Sequence, residues 1–243
     1  MKKILFIPDT HRPYHDKKAW ALMLKVAKQY NPDIVVVQGD FGEFYCTNAH
    51  RKDPNRNALL EGEIDDINKG LDELDALKAK RKIFIQGNHE ENLERYLKDH
   101  APALLNVVTI PGLLKLKERK WEYYPYRKKK AWIGKLACVH DLGASGATAV
   151  SKALSEFQGN VTIGHIHRMH FQIGGNYKGE KHVAASFGWL GDFKHIDYMD
   201  RDKANKDWAL GFGIGYLLDN GVVHITLIPI VDYRCVVEGK LYK

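Results

Sequence analysis

Cysteine is scarce. Cys46, Cys138 and Cys235 are an odd set of three among 243 residues, with no paired spacing. That argues against a disulfide framework and for a reducing compartment. Long apolar runs are missing as well: none approaches the ~20 residues that span a bilayer. The start, Met1-Lys2-Lys3-Ile4-Leu5-Phe6-Ile7, imitates a secretory leader, but Pro8 and Asp9 end its apolar part too soon. Linkers, low-complexity segments and internal repeats are absent too. The expectation is a soluble, cytoplasmic chain that forms one domain over residues 1–243, without membrane contact. At 44% hydrophobic it has enough apolar material for a substantial core.

Lys and Arg number 37 against 30 Asp and Glu, a formal charge of +7. A basic balance favours polyanionic partners such as nucleic acid. A solvated basic surface gives the same count.

Lys3 to Pro8 reads as a strand. Asp9 and His11 follow it two residues apart, a spacing that points both side chains the same way in extended backbone. Asp16 can cap a helix from Lys17 to Tyr30, which Asn31-Pro32 stops. The β-branched run Ile34 to Gln38 is the next strand and closes on Gly39-Asp40. A strand–helix–strand unit makes the two strands parallel. Phe41 to Asn57 has no period and reads as a loop over the site. Leu60, Ile64, Ile67, Leu71, Leu74 and Leu77 repeat with a helix period. Ile83-Phe84-Ile85 is a strand ending at Gly87-Asn88-His89, and Glu90 to Asp99 is a short helix.

Beyond Pro111 the strand-like stretches are Trp121–Tyr126, Ala131–Ile133, Leu136–His140, Val161–Ile163, Met169–Ile173, His182–Ser186, Leu210–Leu218 and Val222–Ile230. Only Ser145 to Phe157 reads as a helix there. Successive strands without helices imply a second, partly antiparallel sheet.

Five short stretches carry chemistry: Asp9-Thr10-His11, Gly39-Asp40, Gly87-Asn88-His89-Glu90, Val139-His140 and Gly164-His165-Ile166-His167. Each follows an apolar, strand-like run and supplies Asp, Asn or His, the side chains that bind divalent metals. The C-terminal ends of strands are where open α/β sheets place their sites. Alone, an Asp-x-His or a Gly-Asp is usually a turn. All five in this order resemble the calcineurin-like metallophosphoesterase superfamily, and the likeness spans Asp9 to His167.

That resemblance implies an α/β fold, a four-layer α/β/β/α sandwich of two mixed sheets flanked by helices. It implies a dinuclear centre with Asp9, His11, Asp40 and His167 on one metal and Asp40, Asn88, His140 and His165 on the other. Asp40 would bridge, since two-metal sites hold their ions ~3.5–4 Å apart. It also implies that His89 stabilises the transition state and protonates the leaving oxygen, with Glu90 as an orienting partner. Imidazole mixed with carboxylate favours two divalent transition-metal ions, manganese first, with iron, zinc, cobalt or nickel as alternatives. Such ions would activate water for in-line attack on phosphorus.

Two positions depart from the family pattern. Glu43 stands three residues after Asp40 where many members have a second acidic residue of their own, and Asp141 follows His140 where many have glycine. Some family members are binding platforms without activity; the presence of His89 and all seven ligand types argues for an enzyme. Arg12, His15 and Arg168 flank the ligands and are candidates for touching substrate. His50, His100, His182, His195 and His224 read as surface or structural residues, and His170 as facing away from the site.

Arg127-Lys128-Lys129-Lys130 lies among Trp121, Tyr123, Tyr124, Tyr126 and Trp132. Basic residues interleaved with aromatics suit nucleic acid. The plainer reading is a hairpin turn with solvated lysines and aromatics in the core. With the net charge, the expected reaction is metal-dependent hydrolysis of phosphate esters by a nuclease or phosphodiesterase acting on nucleic acid. The alternative is a phosphomonoesterase acting on nucleotides or phosphoprotein. The tail pattern Trp208-Ala209-Leu210-Gly211-Phe212, then Gly221-Val222-Val223, resembles small phosphoesterases encoded by phages.

Overall fold

Alternation along the first strand, β1 (Lys2–Ile7), decides the layering. Successive side chains of a strand face opposite ways, and here both faces are apolar and buried. Leu5 and Ile7 join one core cluster; Ile4 and Phe6 join another. A strand buried on both sides needs a layer above and a layer below. In this computed structural model, which describes residues 1–49, 52, 53, 56, 59–196, 202 and 206–243, both layers are present.

The chain runs from β1 into α1 (Lys17–Tyr30), β2 (Ile34–Val37), α2 (Leu60–Asp75), β3 (Arg81–Ile85) and α3 (Asn88–His100). A short α4 (Ile110–Leu113) leads to β4 (Glu122–Tyr124), β5 (Ala131–Ile133) and β6 (Leu136–Cys138). Then come α5 (Ala149–Phe157), β7 (Asn160–Thr162), β8 (Met169–Gly175), β9 (Lys181–Phe187), β10 (Gly211–Leu217), β11 (Val223–Pro229), β12 (Cys235–Val237) and β13 (Lys240–Tyr242).

The first sheet has the order β11-β10-β1-β2-β3-β4, with β1 to β4 mutually parallel and β10 and β11 antiparallel to their neighbours. The second has the order β5-β6-β7-β9-β8. Its centre, β6, β7 and β9, is parallel, and its edges are antiparallel. Helices α1, α2 and α3 cover one face of the first sheet through Met23, Ile67, Leu71 and Leu93. The two sheets meet through Phe6, Val36 and Ile83 on one side and Ile133, Cys138 and Phe187 on the other. The Phe6 and Phe187 rings stack across the seam at 4.8 Å. Removing such a ring costs about 3–5 kcal/mol in a close-packed core. Helix α5 covers the far face of the second sheet through Val150 and Ala153. Helices, sheet, sheet, helix is the expected four-layer order.

Local signals held where a mechanism stood behind them. Asp16 accepts from the backbone N–H of Lys18 and Ala19, and Asn31 ends α1 in left-handed conformation. Sheet membership was less legible. Three stretches expected beyond Pro111, now β4, β10 and β11, extend the first sheet rather than the second. Period-2 patterning marks a strand but not its partner. The β12–β13 hairpin was not anticipated, because two three-residue strands carry too little pattern. In the loop expected over Phe41 to Asn57, a 3₁₀ turn spans Tyr45–Thr47, while His50 and Asn57 lie outside the described residues. Among the described residues, no helix is long and apolar enough to cross a membrane.

Candidate metal centre

Parallel pairing puts the C-terminal ends of β1, β2 and β3 on one edge, and that of β6 beside β7. The chain leaves these five ends through Asp9–His11, Asp40, Asn88–His89, His140 and His165–His167. Four of these residues, His11, Asp40, His165 and His167, have positive φ (52°, 47°, 68° and 56°). Non-glycine residues rarely hold this conformation, and its clustering marks a functional site. The extended path expected from Asp9 to His11 is therefore corrected: His11 turns into the site through a left-handed residue.

The loops are clamped to each other. The N–H groups of Thr10 and His11 both donate to the Asp40 carbonyl at 3.0 Å. Buried Glu90 accepts from the backbone N–H of Asp40 (3.0 Å), Gly42 (2.9 Å) and Gly87 (2.7 Å). Glu90 thus ties the Asp40 loop to the start of α3 and does not orient His89 as expected. That task falls to Glu43. His89 Nδ1 donates to the Glu43 carbonyl at 2.9 Å and lies 3.2 Å from its carboxylate. His11 Nδ1 donates to the same carboxylate at 2.6 Å.

With the outer atoms tied back, the inner atoms converge. His11 Nε2 lies 3.0 Å from His167 Nε2, which lies 3.1 Å from Asp9 Oδ2. His140 donates from Nδ1 to the Gln38 carbonyl at 2.9 Å. Its Nε2 is left 3.1 Å from Asp40 Oδ2 and 2.9 Å from Asn88 Oδ1. Ligand atoms of Asp9, His11 and His167 lie within 4.8 Å of one another, as do those of Asp40, His140 and His165, and those of His11, Asp40 and His89. The third group joins the first two. His89 Nε2 is 3.9 Å from Asp40 Oδ2. Asp9 Oδ1 and Oδ2 accept from the His165 N–H, and Asp40 Oδ1 accepts from the His89 N–H, which fixes both carboxylates. All seven expected ligands and His89 are thus brought together. This donor set fits divalent transition metals: His11 and His140 are fixed through Nδ1 with Nε2 turned inward, beside carboxylates oriented by backbone N–H groups.

Two motif glycines are explained by close approach. A Cβ on Gly87 would fall 2.1 Å from Asp40 Oδ1, and one on Gly164 would fall 2.6 Å from Asp9 Oδ1. No residue other than glycine fits beside these carboxylates.

Asp9 is fully buried and Asp40 is 1% exposed. Burial pushes the Asp40 carboxyl up, but His140 and His89 together hold it well below the usual carboxylate range. Burial pushes His140 down, yet Asp40 and Asp9 lift it to about 10. Burial also opposes the charge on His89, and Glu43 and Asp40 outweigh it, so His89 is held well above the usual imidazole range. For His167 burial wins, with His11 adding to it, and it falls to about 4 despite Asp9. The pocket attracts positive charge at Asp40 and keeps a neutral imidazole at His167.

The flanking candidates separate. Arg12 turns away from the site to Asp66 (2.7 Å) and Glu73 (3.3 Å) and covers the Trp20 ring. His15 is buried 3.9 Å from the same Asp66. Neither reaches the centre, because α2 supplies carboxylates on the opposite side. Arg168 contacts the Ile166 carbonyl and Asp207. His170 lies in β8 opposite Ser186 of β9 and joins none of the ligand groups. Asp141 binds Arg127 at 2.6 Å and accepts from the Gly143 N–H. The aromatics around the basic run mostly point inward. Trp121 and Tyr126 are buried, and Tyr123 donates to Gln86. The stacking half of the nucleic-acid expectation therefore does not hold there; only Trp132 is exposed.

Sequence reasoning missed an indole wall. Trp189 stacks on His167 at 4.9 Å, and Trp208 meets it edge-on at 4.1 Å. A bridge between Asp9 and Trp189 brings this about, and no local spacing signals it.

The model of the family described as calcineurin-like phosphoesterase matches residues 2–183. The chain belongs to that family. The family acts on phosphate esters with divalent metals. The chain is similar to the Gene 54 protein of Mycobacterium phage L5, 26% identical over 268 residues that cover all of this chain and 99% of that protein. Among solved structures it is similar to Yfce, a phosphoesterase from E. coli, at 17% identity and a TM-score of 0.46 over 97% of each chain. A Thermus thermophilus protein aligns at 11% identity and a TM-score of 0.42, over 93% of this chain and 98% of that one.

Proposed function

We propose that this protein is a dinuclear-metal phosphodiesterase acting on nucleic acid. One observation carries the reading. Asp9, His11 and His167 face Asp40, Asn88, His140 and His165, and the group formed by His11, Asp40 and His89 spans the two sets. Asp40 would serve both ions; manganese, or a similar transition metal, suits these donors. When bound, two such ions supply Lewis acidity toward the phosphoryl oxygens and activate water.

The chain's own residues do the rest. Backbone N–H groups hold Asp9 and Asp40 in fixed rotamers, so the donors are organised before substrate arrives. His89 is held by Glu43 through Nδ1, with Nε2 facing the centre. A protonated His89 suits delivery of a proton to the leaving oxygen. The buried Trp189 indole, with the half-buried Trp208 beside it, shields the far side of His167 from water. The chain's basic charge supports a polyanionic substrate.

The test is a manganese-loaded screen of bis-nitrophenyl phosphate, a phosphomonoester, and single- and double-stranded DNA and RNA. Diester hydrolysis is expected. His89→Gln should retain metal and lose about 10²–10⁴-fold in rate on esters with poor leaving groups. The loss should shrink with nitrophenol, which needs little protonation. An equal loss on both would remove His89 from the acid role. Turnover of monoesters alone would reassign the protein as a phosphomonoesterase.

A further inference from the structure

A cavity of about 320 Å³ opens directly beside His140. Its walls include His140, Asp141, Arg127, Lys129, Lys130 and Ile85. That volume lies within the range of small-ligand sites. Three cations stand against one carboxylate, and that carboxylate is already engaged: Asp141 accepts from Arg127 Nε at 3.0 Å and from Nη2 at 2.6 Å. The same Asp141 oxygen accepts from the Gly143 N–H at 2.6 Å, so the carboxylate that anchors the arginine is itself fixed by backbone. Arg127 also lies over the Tyr126 ring, and that ring sits against His140 at 5.9 Å. The β4–β5 turn is thereby fastened to the residue next to a metal-ligand candidate. Lys129 and Lys130 are exposed and have no ion-pair partner among the described residues.

Unpaired ammonium groups beside one another repel, and their turn is held here by a latch between buried Asp141 and the half-exposed Arg127. Resting on the phosphoesterase reading above, we infer that this cavity is a subsite for a second phosphate of the substrate, the one adjacent in a nucleic-acid strand to the phosphate being cleaved. Lys129 and Lys130 supply its charge, and Arg127, positioned by Asp141, forms its floor. Lys128 belongs to the same turn but does not line the cavity. Nucleic acid is therefore recognised by spacing of phosphates rather than by stacking of bases along this turn.

The experiment compares wild type, Lys129→Ala/Lys130→Ala and Lys128→Ala, all manganese-loaded. The substrates are bis-nitrophenyl phosphate and the dinucleotides TpT and pTpT. In wild type the 5′-phosphate of pTpT should lower KM. The double variant should raise KM for pTpT about tenfold at low salt, leave kcat near its wild-type value, and leave bis-nitrophenyl phosphate unaffected. Lys128→Ala should behave as wild type. Equal effects of Lys128→Ala and the double variant would reduce the cavity to general surface charge and overturn the subsite. A preference for ADP over AMP as inhibitor, without one for pTpT over TpT, would overturn the strand assignment. If wild type hydrolyses nothing, the phosphoesterase reading fails separately. Anisotropy of fluorescein-labelled hexathymidylate then decides the subsite: binding must weaken in the double variant and its salt slope must fall by about 0.7 for each lost contact, and unchanged binding overturns it.

Discussion

Glu43 is one carboxylate that governs two imidazoles. It takes the Nδ1–H of His11 and lies beside His89, so the inward nitrogen of each is set by the same residue. Glu43→Gln keeps the size and loses the charge. Such partners of metal ligands typically contribute 10–100-fold in metal affinity or activity. A loss of that order is expected, measured as manganese affinity together with the rate on nitrophenyl esters; wild-type values for both would assign Glu43 a purely structural role. Gly87→Ala is expected to be worse, because its Cβ would overlap both the Asp40 carboxylate and the Asp40 backbone nitrogen. Metal binding should fail and the melting temperature should drop. At this scale the residues that converge were legible, because each ends an apolar run and carries a side chain able to bind metal. The wiring behind them was not. Glu90 is next to His89 in sequence, but on α3 it faces the Asp40 loop, while Glu43 arrives through an aperiodic segment whose path no spacing encodes.

Elements were legible in proportion to their length. Helices α1 and α2 carry a clear apolar period, and α1 a cap as well, and their limits emerged within a few residues. Which sheet a strand joins depends on packing partners far away in sequence. A second, partly antiparallel sheet could be expected, but the placing of β10 against β1 could not. Helix α2 carries an unusual passenger. Glu63 is 2% exposed; one oxygen accepts from the Tyr45 N–H, and the other has no partner among the described residues. Burial and the nearby Glu43 charge raise its pKa from 4.5 to about 7. Unfolded, Glu63 releases its proton near 4.5; folded, it keeps it to about 7. Between these values the folded state binds the extra proton, so stability falls as pH rises and levels off above 7. The loss is at most about 3 kcal/mol. Urea unfolding at pH 5 and pH 8 should show Glu63→Gln gaining on wild type at the higher pH, and parallel behaviour of the two proteins would exclude a protonated Glu63.

Across the whole molecule, the layers exist to hold five strand ends together. Apolar faces on both sides of β1 and β2 commit the first sheet to helices above and a second sheet below. That stacking brings His140, His165 and His167 from the second sheet to Asp9, Asp40 and Asn88 from the first. Neither sheet alone owns a complete donor set. The centre therefore depends on the seam between the sheets, and metal binding should stabilise the fold by mass action.

The most direct test is metal content and activity measured on one sample. Protein stripped with chelator, verified as metal-free by mass spectrometry and then loaded with manganese, should bind two ions per chain and regain hydrolysis of bis-nitrophenyl phosphate. Asp40→Asn should lose both. Full hydrolysis by the verified metal-free protein, or unchanged binding and rate in Asp40→Asn, would contradict a dinuclear centre bridged by Asp40.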